Sequence, residues 1–394
     1  MKATVVGVGS ELIEGRTLDT NTAELARDLL DLGQEVEVTY RVADRLAPLV
    51  AELRHALKGH RLVVTTGGLG PTPDDLTREA IAEAVGAPLV FDPEVYRRIA
   101  RFFAQLGRPM PEINRKQAMK PAGAQWLENP RGTAPGFLWR SGDRAVVALP
   151  GPPAEWRPMW RAARAALGLV GQGARVKVFK TFGLGESDLY LALGELLGRG
   201  RDYEVSTYAK PWGVEVVVRG SEAVAKEVRR RIQRAIWGED EDTLPGLVAR
   251  RLAAEGKTLA VMESVTGGLV AALLADVPGV SKVFLGGMVS YTGEAKVRFG
   301  VSPSVLRSHG QVSRETALAM ARAARRRLDA DYGLAVTGVA GPEELEGHPV
   351  GTVYVAFAGE QGGLAQGYRF PDQGRAAVRQ RAAYAALAFF WSRA

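Results

Sequence analysis

Apolar runs short enough for strands alternate along this chain with stretches whose apolar residues recur at helical spacing, and the alternation persists through most of its 394 residues. Near the start, Ala3-Thr-Val-Val-Gly-Val-Gly9 reads as a strand, 22–32 as an amphipathic helix, 35–40 as a strand and 46–57 as a helix. Leu62-Val-Val-Thr-Thr66 fits a buried strand, and a helix is expected over 75–85. Strands alternating with helices predict a parallel sheet covered by helices, with ligands gathering at the carboxyl ends of its strands.

The pattern changes near residue 174, where a smaller β-α-β-β-α unit is expected: strand 176–182, helix 187–197, strands 203–208 and 214–218, and helix 221–237. The acidic stretch Gly238-Glu-Asp-Glu-Asp-Thr243 reads as a linker. Beyond it the alternation resumes with helix 247–255, strand 258–262, helix 267–274, strand 283–291, helix 313–328, strands 332–337 and 350–357, and a last helix from Arg375. The expected fold class is α/β in three domains: an N-terminal sheet domain over 1–170, a small connector over 171–243 and a C-terminal α/β domain over 244–394.

Composition removes several chemistries. With no cysteine, disulfides, thiolate nucleophiles and cysteine metal sites are excluded, and the four histidines, His55, His60, His309 and His348, form no metal-ligand spacing. Hydrolytic chemistry must therefore lean on Ser, Lys, Tyr or carboxylates. A net charge of +7 favours anionic ligands. The basic runs Val228-Arg-Arg-Arg-Ile232 and Ala324-Arg-Arg-Arg-Leu328 read as solvated, intrahelically paired faces. The opening Met-Lys-Ala-Thr-Val-Val-Gly enters a strand without a signal-peptide layout, and the longest apolar runs fall short of a membrane span. A cytoplasmic protein without a membrane partner is expected.

Two constellations carry chemistry. Thr65-Thr-Gly-Gly-Leu-Gly-Pro-Thr-Pro-Asp-Asp-Leu-Thr77 joins a strand end, a glycine loop and adjacent carboxylates. Glycine-lined amides can cradle phosphate and carboxylates can hold a divalent ion; the plainer reading is a capped turn before a helix. In the second, Met262-Glu-Ser-Val-Thr-Gly-Gly268 places Ser264 at a strand's carboxyl end before a glycine corner. A serine nucleophile needs a base, and Lys296, in Ser290-Tyr-Thr-Gly-Glu-Ala-Lys296, is the candidate, with Tyr291 beside it. Neighbouring strands of one sheet would bring the three together. The amides of Gly267 and Gly268 are expected to face an oxyanion or a substrate phosphate.

Gly9-Ser-Glu-Leu12, Asp19-Thr-Asn21 and Thr66-Gly-Gly-Leu-Gly-Pro-Thr-Pro-Asp-Asp75 resemble the molybdopterin-binding fold of molybdenum-cofactor biosynthesis proteins. Asn129-Pro-Arg-Gly-Thr-Ala-Pro-Gly136 and Leu149-Pro-Gly-Pro-Pro-Ala-Glu155 narrow the resemblance to the N-terminal domain of the CinA (competence/damage-inducible) family. That resemblance implies hydrolysis of ADP-ribose with a divalent metal such as Mg²⁺, and potassium beside it. By position, Gly67, Gly68 and Gly70 would hold phosphate, while Asp19, Asp44 and Asp75 would be metal or water-orienting carboxylates. Glu263-Ser-Val-Thr-Gly-Gly268, Ser290-Tyr-Thr-Gly-Glu-Ala-Lys296, Val336-Thr-Gly-Val-Ala-Gly-Pro342 and Pro349-Val-Gly-Thr-Val353 resemble the family's C-terminal domain, a nicotinamide mononucleotide deamidase. It implies Ser264, Tyr291 and Lys296 as catalytic, no cofactor for that activity, and Thr266, Gly267, Gly268, Thr337, Gly338, Gly341 and Arg375 around the substrate. Val265 stands where the family has a cysteine. Gln373-Gly-Arg375 departs from its Gly-Asp-Arg, which leaves Arg379 as the alternative to Arg375. The middle unit resembles the family's KH-like connector. Its nearest GxxG, Gly168-Leu-Val-Gly171, precedes the first strand, so nucleic acid is not an expected partner, and a connecting or homodimerising role is. A molybdopterin-handling enzyme and a non-catalytic, competence-related DNA-binding protein are the rival readings.

Overall fold

The computed structural model describes residues 1–169, 176–200 and 202–393, and the chain divides into two compact units, Met1–Ala174 and Arg175–Ala394. The expected boundary at 170/171, with Gly171 of the GxxG motif, lies outside the described residues.

The first unit contains β1 (Lys2–Val8), β2 (Glu35–Val42), β3 (Leu62–Thr66), β4 (Leu89–Phe91), β5 (Met119–Pro121), β6 (Gln125–Leu127), β7 (Gly136–Ser141) and β8 (Arg144–Leu149). Its main sheet has the order β2-β1-β3-β8-β7-β6, and β4 pairs with β5 apart from it. The first four strands of that order are parallel; β7 and β6 are antiparallel additions at one edge. Alternate residues explain why the inner strands read as unbroken apolar runs. Val6, Val63 and Val146 pack with Leu49 and Leu53 of helix Leu46–Gly59 on one face. Val5, Val64 and Val147 pack with Leu25, Leu29, Trp156 and Trp160 on the other. Both faces are thus covered, as parallel sheets require.

The second unit begins with β9 (Val176–Thr181), β10 (Gly198–Arg199), β11 (Glu204–Lys210), β12 (Gly213–Arg219) and β13 (Ile236–Glu239), an antiparallel sheet of order β10-β11-β12-β9-β13. The helix expected to run to 237 ends at Ile232, and the chain returns as β13 to pair with β9. The acidic stretch is therefore not a free linker. Asp240 accepts from Val178 N at 3.0 Å and Lys177 Nζ at 2.7 Å, and Thr243 caps helix Leu244–Glu255. The basic Arg229, Arg230 and Arg231 are ion-paired with Glu239, Glu227 and Glu195, in line with a solvated face.

The remaining strands are β14 (Leu259–Glu263), β15 (Phe284–Val289), β16 (Tyr332–Gly338), β17 (Thr352–Gly359) and β18 (Gly362–Arg369), ordered β15-β14-β16-β17-β18. The first three of that order are parallel and the last two antiparallel. Val261, Val336 and Val355 pack under helices Leu244–Glu255 and Arg375–Arg393, while Ala260, Met262 and Ala335 meet helix Arg314–Arg327. Phe182, Trp212 and Trp237 of the small sheet region pack onto the first of these cores, Trp212 edge-on to Tyr384 at 5.5 Å. Among the described residues no helix is long and apolar enough to cross a membrane.

Candidate functional sites

The parallel strands of each main sheet end at a cavity. In the first unit, a space of about 660 Å³ is lined by Val8 and Gly9 at the end of β1, residues 66–71 at the end of β3 and residues 150–153 after β8. The loop 67–70 is organised from behind. Thr77 Oγ1 donates to Gly67 O at 2.8 Å, Thr77 N to Gly68 O at 3.1 Å, and Arg78 Nη2 to Leu69 O at 2.9 Å. In a trans peptide the carbonyl and the following N–H point oppositely. Three carbonyls held against the helix start therefore turn the amides of Gly68, Leu69 and Gly70 the other way, toward the cavity these residues line. Among the described residues no acceptor meets those amides. The glycines are dictated by space: a Cβ on Gly67, at φ +102°, would strike Val8 O, and one on Gly70 would strike the Asp75 carboxylate.

The carboxylates are placed differently from expectation. Asp19, Asp44 and Asp75 all line the cavity, with Glu11, Asp74 and Glu155. Yet each is committed locally. Asp19 accepts from Thr22 N at 2.9 Å as a helix cap and pairs with Arg41 at 3.1 Å. Asp44 accepts from Ser10 N at 2.7 Å. Asp75 accepts from Thr72 N at 2.9 Å and from its hydroxyl, closing a turn; the helix expected to start at 75 starts at Thr77. Among the described residues no group of three or more His, Cys, Asp or Glu side chains is gathered to hold a metal ion. Asp19, Asp44 and Asp75 therefore line one cavity without forming a three-carboxylate cluster. Asn21, noticed in the sequence only inside its motif, ties the cavity floor together, donating to Gly151 O at 2.6 Å and Thr66 Oγ1 at 3.2 Å.

In the second unit a cavity of about 480 Å³ is lined by Ser264, Tyr291, Lys296, Thr337, Gly338, Gly341 and Arg375, with Val265 and Gln311 among their neighbours. Parallel β14 and β15 run in register, Glu263 opposite Val289, so the residues following each strand emerge side by side. Helix Gly293–Arg298, capped by Thr292, then carries Lys296 back to the corner. Lys296 Nζ lies 3.0 Å from Ser264 Oγ and donates to Ser290 O at 3.1 Å. Lys296 is 1% and Ser264 7% exposed. That burial pulls the lysine down to about 8, against an opposing pull from the Glu346 carboxylate. Tyr291 is half exposed; its hydroxyl meets Arg375, which also donates to Gly341 O at 2.6 Å.

The glycine corner is filled by a residue the sequence reading passed over. Glu263, 1% exposed, accepts from Gly268 N at 3.0 Å, Val270 N at 3.0 Å and Ala271 N at 2.8 Å, so its carboxylate already occupies the start of helix Leu269–Ala275. Gly267 N donates to Ser264 O at 3.0 Å. Neither glycine amide is available to an oxyanion or a phosphate, and Thr266, Gly267 and Gly268 are not among the residues lining the cavity, which corrects that expectation. Val265, next to the serine, lines the cavity, and its amide meets no acceptor among the described residues. Arg379 donates to Thr266 O at 2.9 Å behind the corner, leaving Arg375 as the arginine at the cavity.

These features define a multidomain α/β protein with two separate carboxyl-edge cavities, one floored by a glycine amide loop and one holding a buried serine-lysine pair. Residues 241–393 match the CinA C-terminal domain, residues 176–238 the damage-inducible protein CinA KH domain, and residues 4–167 the family described as "Probable molybdopterin binding domain". A competence-damage inducible protein of Symbiobacterium thermophilum is 43% identical over 92% of this chain and 90% of its own length, and that of Desulforamulus reducens 39% identical over 98% of each. A crystal structure of CinA from Thermoplasma acidophilum, 34% identical, covers 42% of this chain and 99% of its own with a TM-score of 0.40. The chain belongs to the CinA family of competence/damage-inducible proteins.

Proposed function

We propose that the second cavity deamidates nicotinamide mononucleotide. The observation that carries this reading is the 3.0 Å contact between Lys296 Nζ and Ser264 Oγ, made where burial favours the neutral amine. Neutral Lys296 accepts the Ser264 proton as Oγ attacks the carboxamide carbon, and the Val265 N–H receives the developing oxyanion. The protonated lysine returns its proton to the departing nitrogen, which leaves as ammonia. Water then hydrolyses the acyl-enzyme to nicotinic acid mononucleotide. Arg375 is the lining cation left to meet the substrate phosphate, with Tyr291 fixed beside it. Release of ammonia from nicotinamide mononucleotide by the purified protein tests the reading. Ser264→Ala should abolish it, by about 10³-fold or more, while leaving any activity of the first unit intact. Turnover near wild type in that variant removes the serine from the mechanism.

For the first cavity we infer hydrolysis of ADP-ribose to AMP and ribose 5-phosphate. The support is the row of free amides at Gly68, Leu69 and Gly70, a backbone cradle suited to a pyrophosphate. ADP-ribose turnover in the Ser264→Ala protein checks it independently of the deamidase.

A further inference from the structure

The cavity of the first unit poses an electrostatic problem: carboxylates line it, no lysine, arginine or histidine does among the described residues, and the ligand inferred for it is anionic. Nearby positive charges are mostly spent. Arg41 pairs with Asp19, and Lys116 is taken up by Glu79 and by the carbonyls of Thr72 and Asp75. Arg78 differs. It is fully buried, makes one hydrogen bond, to Leu69 O, and its Nε and Nη1 atoms are buried without a partner among the described residues. Burial draws its pKa down to about 10, with the charges of Glu79 and Asp75 opposing. A buried guanidinium with most of its donors unmet is costly, and such groups persist where the charge has a task.

We propose that Arg78 is the positioning residue of an anion cradle formed by the amides of Gly68, Leu69 and Gly70. Of the three bonds that hold the loop carbonyls backward, two come from Thr77 and the third from Arg78. Its bond to Leu69 O fixes the peptide whose other end is the Gly70 amide, the last member of the cradle. Its charge lies in a low-dielectric interior within reach of Glu79 and Asp75, where it offsets part of the negative charge lining the cavity. Arg78 never touches the ligand; it sets the direction of an N–H group and the sign of the local potential.

This inference rests on the phosphate reading of the cavity, and its test uses inorganic pyrophosphate so that binding is separated from turnover. Amide NMR of the full chain should show Gly68, Leu69 and Gly70 shifting on addition of pyrophosphate. In Arg78→Met the affinity should fall tenfold or more and the Gly70 response should be lost before that of Gly68. The thermal midpoint should hold or rise, because an apolar side chain of similar length replaces a half-satisfied charge. Arg78→Lys, which keeps the charge and can reach Leu69 O, should recover part of the affinity. Unchanged pyrophosphate binding in Arg78→Met, or equal loss in Met and Lys variants together with a lowered midpoint, overturns the proposal, as does a wild-type protein whose loop amides ignore pyrophosphate. If pyrophosphate binds in the Arg78-dependent way but ADP-ribose is not cleaved, the inference stands and the hydrolase reading fails. Cleavage and binding that persist unaltered in Arg78→Met sink the inference alone.

Discussion

Lys296 is where burial becomes chemistry. A lysine drawn down to about 8 is largely protonated at neutral pH and loses its proton just above it. If it is the base, kcat/KM for deamidation should rise along a limb centred near 8. Lys296→Arg keeps the charge but cannot deprotonate in that range, so it should lose most of kcat while still binding substrate. Wild-type turnover with an unmoved profile in this variant would end the serine-lysine account. The same shift has a stability signature. The unfolded chain holds this proton to about 10.5 and the folded one releases it near 8, so the unfolded state binds more protons between those values. Stability from this residue should therefore increase with pH across that window. Comparing the pH dependence of denaturant midpoints for wild type and Lys296→Met isolates the contribution.

At the scale of elements, the most constrained piece is the turn from β14 into helix Leu269–Ala275. Glu263→Gln keeps shape but turns an NH₂ group toward one of the three amides the carboxylate now serves. A buried donor facing a donor should cost about 1–3 kcal/mol. The denaturant midpoint should fall, and kcat should drop with KM nearly constant because the serine shares this backbone. A midpoint equal to wild type would mean the corner holds itself without the charge. This corner also shows what was legible in the sequence. Ser264, Tyr291 and Lys296 could be read because each follows a recognisable strand, and parallel neighbours must deliver their carboxyl ends to one edge. Glu263 could not, since a carboxylate closing an apolar run looks like the exposed end of a strand until the helix amides are seen around it. The Gly268 amide is hidden for the same reason, and that of Gly267 because it closes a local turn onto Ser264 O. Among strands, the apolar β3 and β14 were plain, whereas β18, Gly-Gly-Leu-Ala-Gln-Gly-Tyr-Arg, offers little β-branched character and gains its place only by pairing along β17. The short β10 and β13 are hidden likewise, the second spanning the end of the expected helix 221–237 and the first residues of the acidic stretch.

On the scale of the whole molecule, the small antiparallel sheet is bound up with the domain that follows it. Phe182, Trp212 and Trp237 cover apolar surface around Tyr368 and Tyr384. A fragment of residues 176–394 should therefore fold and keep deamidase activity, whereas 244–394, cut where the acidic stretch suggested a boundary, should melt lower or aggregate. Thermal midpoints and ammonia release of the two fragments decide this, and equal stability would show that the aromatic contacts add nothing. Arg375 carries a different consequence. It opens the last helix, made after Ser264 and Lys296, and bonds Tyr291 and Gly341. A chain that stops between Lys296 and Arg375 lacks this arginine and also Val378, Ala382, Leu387 and Phe390, which pack in the core with Val261 of the serine's strand. The arginine at the cavity and much of the core beneath the serine's strand therefore arrive together, in the last helix to be made.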